Sequence, residues 1–309
     1  MAILNGIFSL AFLIQLIRIS VPYVLAAMGG VFSERSGVTN IALEGIILNG
    51  AFGSVLGTYL TGSPLYGALA GVIAGMLTAL LHAVISIRFR ADQIISGVAI
   101  NLLSVGLTKF FLKIFFDSSS NSSRVEGIKV FQILPPGNGF SDMINQLVGN
   151  PMIMLTLFIV VFSHIIIFKT VFGLRLRAVG EHPEAADTLG IRVNVMRYVC
   201  VIISGALAGL AGVWLGLDQH QFTDGMSNGR GFIAIAAVIF GKWNPYGAAL
   251  ACLLFGGSEA LQITLQSSGS NIPTQFIQMI PYLLTMIALA GFIGKSTSPA
   301  ALGKAYDED

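Results

Sequence analysis

Five side chains carry chemistry that an apolar stretch does not need for its own sake: Asn40, Glu44, Asn49, Gln93 and Asn101. Amide groups donate and accept hydrogen bonds at once. They suit a neutral, hydroxylated solute, whereas a buried charge requires a charged partner. Asn40 and Glu44 are four apart and are expected on one face of a helix beginning near residue 41; Gln93 and Asn101, eight apart, also fall roughly on one face. Such groups either line a solute path or cap helices and bond between them, since both uses satisfy a polar group that is costly in a membrane. Glu259 and Gln262 offer the same two readings, and Phe52 could face a flat base. Asp218, His220, Asp224 and Arg230 form a polar cluster that reads either as an outer mouth or as a solvated loop.

The other informative stretch is Gly173 to Arg192, with Glu181, Pro183, Glu184, Ala185, Ala186 and Gly190 at its centre. Pro183 suits the first position of a helix, where a missing N–H costs nothing. Glu181 and Glu184 complement the positive end of the helix dipole. Ala185 and Ala186 favour helix, and Gly190 can take the left-handed C′ position that ends it. A helix this short does not persist alone, so it is either docked against a partner or part of an ordinary surface loop.

Enzyme signatures are missing. There is no Gly-x-x-x-x-Gly-Lys-Ser/Thr phosphate loop, His-Glu-x-x-His pair or Gly-x-Ser-x-Gly elbow. His82, His164, His182 and His220 are scattered, and Cys200 and Cys252 sit in apolar runs, so no metal set, cofactor or disulfide framework is expected. A net charge of +2 is too small to point to nucleic acid.

The elements that must position these residues are membrane spans. Of 309 residues 54% are hydrophobic and 10% charged, with mean hydropathy +0.80; soluble domains carry about 25% charged residues. An all-α polytopic bundle of about nine spans, with eight or ten as alternatives, is expected over residues 1–294. Runs of about 20 apolar residues fall at 6–30, 41–60, 65–87, 94–115, 151–171, 195–217 and 246–265, with a short or broken span at 231–241 and a last one at 275–293. No removable signal peptide is expected. The polar tail, 295–309, is expected to be cytoplasmic and disordered. The Lys/Arg bias puts the 181–190 loop, Arg35, Arg88, Arg90 and Lys304 inside, and the N-terminus outside. Glycines at Gly53/Gly57, Gly67/Gly71/Gly75, Gly205/Gly209 and Gly212/Gly216 have the spacing that lets helices approach closely in lipid.

Four blocks carry a family resemblance: Ser33-Glu-Arg-Ser-Gly-Val-Thr-Asn-Ile-Ala-Leu-Glu-Gly45, Ala91-Asp-Gln-Ile-Ile-Ser-Gly-Val-Ala-Ile-Asn101, Leu174-Arg-Leu-Arg-Ala-Val-Gly-Glu-His-Pro183 and Gly229-Arg-Gly-Phe-Ile-Ala-Ile-Ala-Ala-Val-Ile-Phe-Gly-Lys-Trp-Asn-Pro245. Together they resemble the permeases of bacterial ABC importers for branched-chain amino acids, ribose and nucleosides, and within these the nucleoside and simple-sugar branch. The chain begins almost at a span that matches the second helix of the ribose-type relatives. The resemblance implies a cytoplasmic-membrane permease whose 181–190 segment is the coupling helix contacting an ATPase subunit. It also implies a second permease subunit, here a heterodimer partner, and an extracytoplasmic solute-binding protein or lipoprotein. ATP hydrolysis is then expected on the partner, and the solute is expected to be a nucleoside, with riboflavin or a simple sugar as alternatives. An ion-coupled secondary transporter is the rival class; it would need a coupling-ion site near mid-membrane, for which Glu44 or Glu259 could serve.

Overall fold

Apolar runs closed by local caps give twelve described α-helices: α1 (Leu10–Arg35), α2 (Leu43–Thr61), α3 (Pro64–Ala83, continued by a π-helical turn, Val84–Arg88), α4 (Gln93–Phe116), α5 (Gly139–Leu147), α6 (Pro151–Lys169), α7 (Val171–Glu181), α8 (Pro183–Thr188), α9 (Val193–Asp218), α10 (Arg230–Phe240), α11 (Pro245–Ser267) and α12 (Thr274–Gln278). The structure, a computed structural model, describes residues 10–135, 137, 139–267, 273–281, 283, 286 and 297–307. Seven helices are long and apolar enough to cross a membrane: α1, α2, α3 with its π turn, α4, α6, α9 and α11. Helix α10 is the short apolar element expected at 231–241. The expected last span, 275–293, lies largely outside the described residues.

The caps follow from residue type. Gly62, at φ 70°, ends α2, and Pro64 opens α3. The Asp92 carboxylate accepts from the Ile94 and Ile95 N–H groups at the head of α4, and Asn150 accepts from Met152 N–H ahead of Pro151.

Helix α1 is the axis. Every residue from Ser20 to Glu34 is buried, as expected of a helix apolar on all sides. Helices α9, α11, α10 and α6 pack round it. A seam of small residues joins α2, α3 and α9. A Cβ on Gly71 would lie 2.6 Å from the Gly50 carbonyl, and one on Gly75 2.5 Å from the Gly205 carbonyl. The glycine spacing therefore marks backbone-to-backbone packing. On α3 and α4 the pattern is inverted relative to a soluble protein. Gly67, Gly71, Gly75, Gln93, Asn101 and Ser104 face inward, while Leu69, Ile73, Leu77, Leu102 and Phe110 face outward.

Two expectations need correction. Residues 297–307 are not disordered: they lie across the end of the bundle that carries α7 and α8, where Ala301 N–H donates to Gly180 O and Gly303 N–H to Gly37 O. Polar composition hid this docking because its bonds are mainly to backbone. Second, Asn40 is not on a helix face with Glu44. Helix α2 starts only at Leu43, and residues 36–42 run as non-helical chain.

Candidate functional site

The 36–42 segment explains where most of the polar candidates go. Ser36, Val38, Asn40 and Ala42 are fully buried. Non-helical backbone this buried survives only if its N–H and C=O groups find partners within the protein. Ser33 Oγ donates to Val38 O at 2.7 Å. Thr39 N–H donates to Gln93 Oε1 at 2.7 Å, and Thr39 O faces His82 Nε2 at 3.0 Å. A carbonyl only accepts, so Nε2 carries a proton; in the neutral ring Nδ1 then accepts from Ser96 Oγ, 3.1 Å away. Asn101 serves both sides of the junction. It donates from Nδ2 to Ile41 O at 2.9 Å and accepts through Oδ1 from Gly45 N–H at 2.8 Å. Asn40 Nδ2 donates to Ser204 Oγ at 2.9 Å, while its buried Oδ1 has no partner among the described residues.

Glu44 and Asn49 are half-buried. The Glu44 carboxylate accepts from Gly229 N–H and Gly231 N–H, each at 2.7 Å. It thus caps the N-terminus of α10 from another helix, where a negative charge also meets the favourable end of the dipole. Asn49 Nδ2 is shared between Thr78 Oγ1 at 2.9 Å and Ser104 Oγ at 3.0 Å. Phe52, one turn further, stacks on Phe111 of α4 and meets Phe222 edge-on.

The C-terminal end of α1 is tied down by residues not singled out as sites. Buried Glu34 accepts from Trp243 Nε1 at 2.5 Å, and Arg35 Nε donates to Trp243 O at 2.9 Å. Lys242 and Trp243 both adopt positive φ, 54° each, so these bonds hold a left-handed pair that costs energy in non-glycine residues.

The cluster expected at an outer mouth divides among different helices. Asp218 pairs with Arg18 at 2.7 Å, Asp224 with Lys109 at 3.2 Å, and Arg230 with Glu259 at 3.2 Å. Tyr23 Oη also donates to Glu259 at 2.5 Å. A cavity of about 460 Å³ lies here, with Gln15, Arg18, Gln146, Trp214, Asp218 and Arg230 in its lining. The loop after α4 is knitted to the chain after α9: Ser122 N–H donates to Phe222 O, and Val125 N–H to His220 O.

At the opposite end, Gly173–Arg192 forms two helices, α7 and α8, where one was expected. The break is His182, at φ −139°. Pro183 is in the first turn of α8, and Gly190 takes φ 78° just past its end, as the residue types predict. Gly180 packs directly on the Arg35 carbonyl. Ala186 turns inward to a small apolar cluster with Val179 and Val193, against which Tyr306 packs. Glu184 and Ala185 face solvent, and Leu189 is 81% exposed. Glu181 accepts from Ala300 N–H at 3.2 Å, and Asp187 from Tyr306 Oη at 3.0 Å. Asp307 pairs with Arg90, which follows the π turn. The coupling candidates thus lie on one surface that also contains the C-terminal segment.

The sequence reading missed His82, Ser96, Ser204, Arg197 and Tyr306. For His82 and Arg197 a signal was present, since each is ionisable within an apolar run. The serines and Tyr306 carried none.

Known proteins share this arrangement of sequence. The family model described as "Branched-chain amino acid transport system / permease component" matches residues 12–289. The chain is 44% identical over 297 residues to the guanosine ABC transporter permease protein NupQ of Bacillus subtilis, covering 92% of each. It is 38% identical over 300 residues to the nucleoside ABC transporter permease protein NupC of Lactococcus lactis, covering 93% of each. A second B. subtilis chain, the guanosine ABC transporter permease protein NupP, is 26% identical over 303 residues, covering 94% of this chain and 85% of the relative.

Proposed function

This chain belongs to the branched-chain amino acid transport system permease family, and on that premise we propose that it carries nucleosides as one permease subunit of an ATP-driven importer in the bacterial cytoplasmic membrane. The observation that carries the substrate is the identity, over nine-tenths of the chain, to permeases named for guanosine and for nucleosides. The match to two B. subtilis permeases, one at 44% and one at 26% identity, supports a heterodimer with a more distant sister subunit.

In this reading α8 is the coupling helix. ATP binding and hydrolysis occur on a partner ATPase, and an extracytoplasmic binding protein delivers solute to the outer end. Motion of α8 passes through Gly180 and Arg35 to α1, the axis of the bundle. The chain itself performs no covalent step. Half-buried Asn49, one turn from the Phe52–Phe111 stack, is the polar candidate left nearest a solute; Glu44 caps α10, Gln93 and Asn101 hold backbone between Thr39 and Gly45, and Asn40 bonds Ser204. The rival ion-coupled reading is weakened by the same bonds: Glu44 caps α10, and Glu259 is engaged by Arg230 and Tyr23.

The test is uptake of radiolabelled guanosine, adenosine, ribose and riboflavin into proteoliposomes holding this chain with its ATPase, sister permease and binding protein. ATP-dependent nucleoside uptake is expected. Uptake of ribose or riboflavin without nucleosides would overturn the substrate, and uptake by this chain alone would overturn the importer.

A further inference from the structure

The C-terminal segment 297–307 is built into the surface around α8 by bonds from separate places in the fold. Ala301 and Gly303 donate to the carbonyls of Gly180 and Gly37, at 2.9 and 3.0 Å. Lys304 O accepts from Arg197 Nη1 at 2.9 Å, and the Arg197 guanidinium lies over the Tyr306 ring, 6.0 Å from its centroid. Tyr306 reaches Asp187 of α8, and Asp307 reaches Arg90. Such a segment has the same position relative to α8 in every molecule that keeps these bonds.

Between the segment and α8 lies a cleft of about 820 Å³. Its exposed acids are Glu181, Glu184 and Asp307, the last paired with Arg90, with half-buried Asp187 beside them; the exposed base in the lining is Lys304. Glu184 has no hydrogen bond or ion pair among the described residues. Arg197 also lines the cleft and is 2% exposed. Its Nε and Nη2 have no hydrogen-bond partner among the described residues, but they are closed off from solvent, so an occupant of the cleft meets the exposed rim. A peptide segment with a basic side chain complements this acidic rim, whose Glu184 carboxylate has no partner of its own among the described residues.

We propose that the C-terminal segment 297–307 and α8 together form a two-walled cleft that receives a basic peptide segment of the ATPase subunit. The inference rests on reading α8 as the coupling helix and extends the docking surface to a second wall. That wall ties the ATPase to the α3–α4 turn through Arg90 and to the 36–42 segment through Gly37. The ATPase would then engage the inner ends of several helices at once.

The experiment uses the full importer in nanodiscs. A thiol-linked photocrosslinker is placed at Ala185→Cys on α8 or at Ala305→Cys on the segment, both exposed positions. The two native cysteines are buried and should not react. Both sites are expected to crosslink to the ATPase subunit. Crosslinking from Ala185→Cys alone overturns the two-walled cleft and leaves the coupling helix standing; crosslinking from neither overturns both. A second measurement tests the sign of the charge. Binding of purified ATPase subunit is expected to weaken about threefold with Glu184→Gln and to tighten about twofold with Lys304→Gln, the range of a single exposed charge contact. Weakening by Lys304→Gln would mean that the cleft receives an acidic segment and would overturn the basic occupant.

Discussion

The polar shell around residues 36–44 and the surface around α8 put their polar side chains to different uses. In the shell, Gln93, Asn101, His82 and Glu44 bond to backbone of their own chain, and the fully buried Asn40 Oδ1 has no partner among the described residues. On the surface, Glu184, Ala185 and Leu189 project outward, while Ala186 alone of the α8 candidates anchors inward. A polar group that has to be satisfied inside a membrane is consumed by structure. A polar group in water is free to be spent on a partner. The comparison teaches that burial, rather than residue type, separates the two roles: Asn40, Gln93 and Asn101 are buried, whereas Glu184 is exposed.

The sharpest way to break the comparison is at Asn101. Asn101→Leu strips partners from Ile41 O and Gly45 N–H, and a loss of about 3 kcal/mol is expected, at roughly 1–3 kcal/mol per orphaned buried group. Thermal unfolding of the purified protein should show it as a lower Tm or lost yield. A fully stable Asn101→Leu protein with changed solute selectivity would move Asn101 from the shell to the solute path.

Glu44→Gln is milder. One carbonyl oxygen still accepts from α10, but the amide nitrogen cannot, and the charge at the helix dipole is gone. A destabilisation of about 1–2 kcal/mol is expected. If uptake instead becomes independent of an ion gradient on which the native protein depends, Glu44 belongs to a coupling-ion site and the ion-coupled class returns.

Glu184→Arg should do the reverse of Asn101→Leu. Stability should change by no more than about 0.5 kcal/mol, as for exposed positions elsewhere. Solute-stimulated ATPase activity of the reconstituted complex should fall about tenfold, since a reversed charge at a contact costs on the order of 1.4 kcal/mol or more. Undiminished stimulation would remove the coupling role from α8.

The smallest energetic change tests which end is which. Single cysteines at exposed Ser120 and exposed Ala305 should be labelled by an impermeant thiol reagent from opposite sides, Ser120 in intact cells and Ala305 only after lysis. Labelling of both in intact cells would dissolve the assignment of the two regions to inner and outer ends.

What the sequence determined by itself is what depends on neighbours along the chain. Seven span-length apolar runs, the short α10, the first turn of α8 at Pro183, the left-handed Gly190 and the close-packing glycines all follow from local composition and spacing, because hydrophobic length, helix capping and backbone approach are short-range effects. Only the tertiary structure decided what each polar side chain does. Asn40 finds Ser204, 164 residues away; Asn101 finds Ile41, 60 away; Arg197 finds Lys304, 107 away. A buried amide must bond to something, but its type is the same whether the partner is a solute, a serine or a carbonyl. Which partner it meets is set by the crossing of helices distant in sequence, and by the 36–42 segment that leaves the helix inside the bundle.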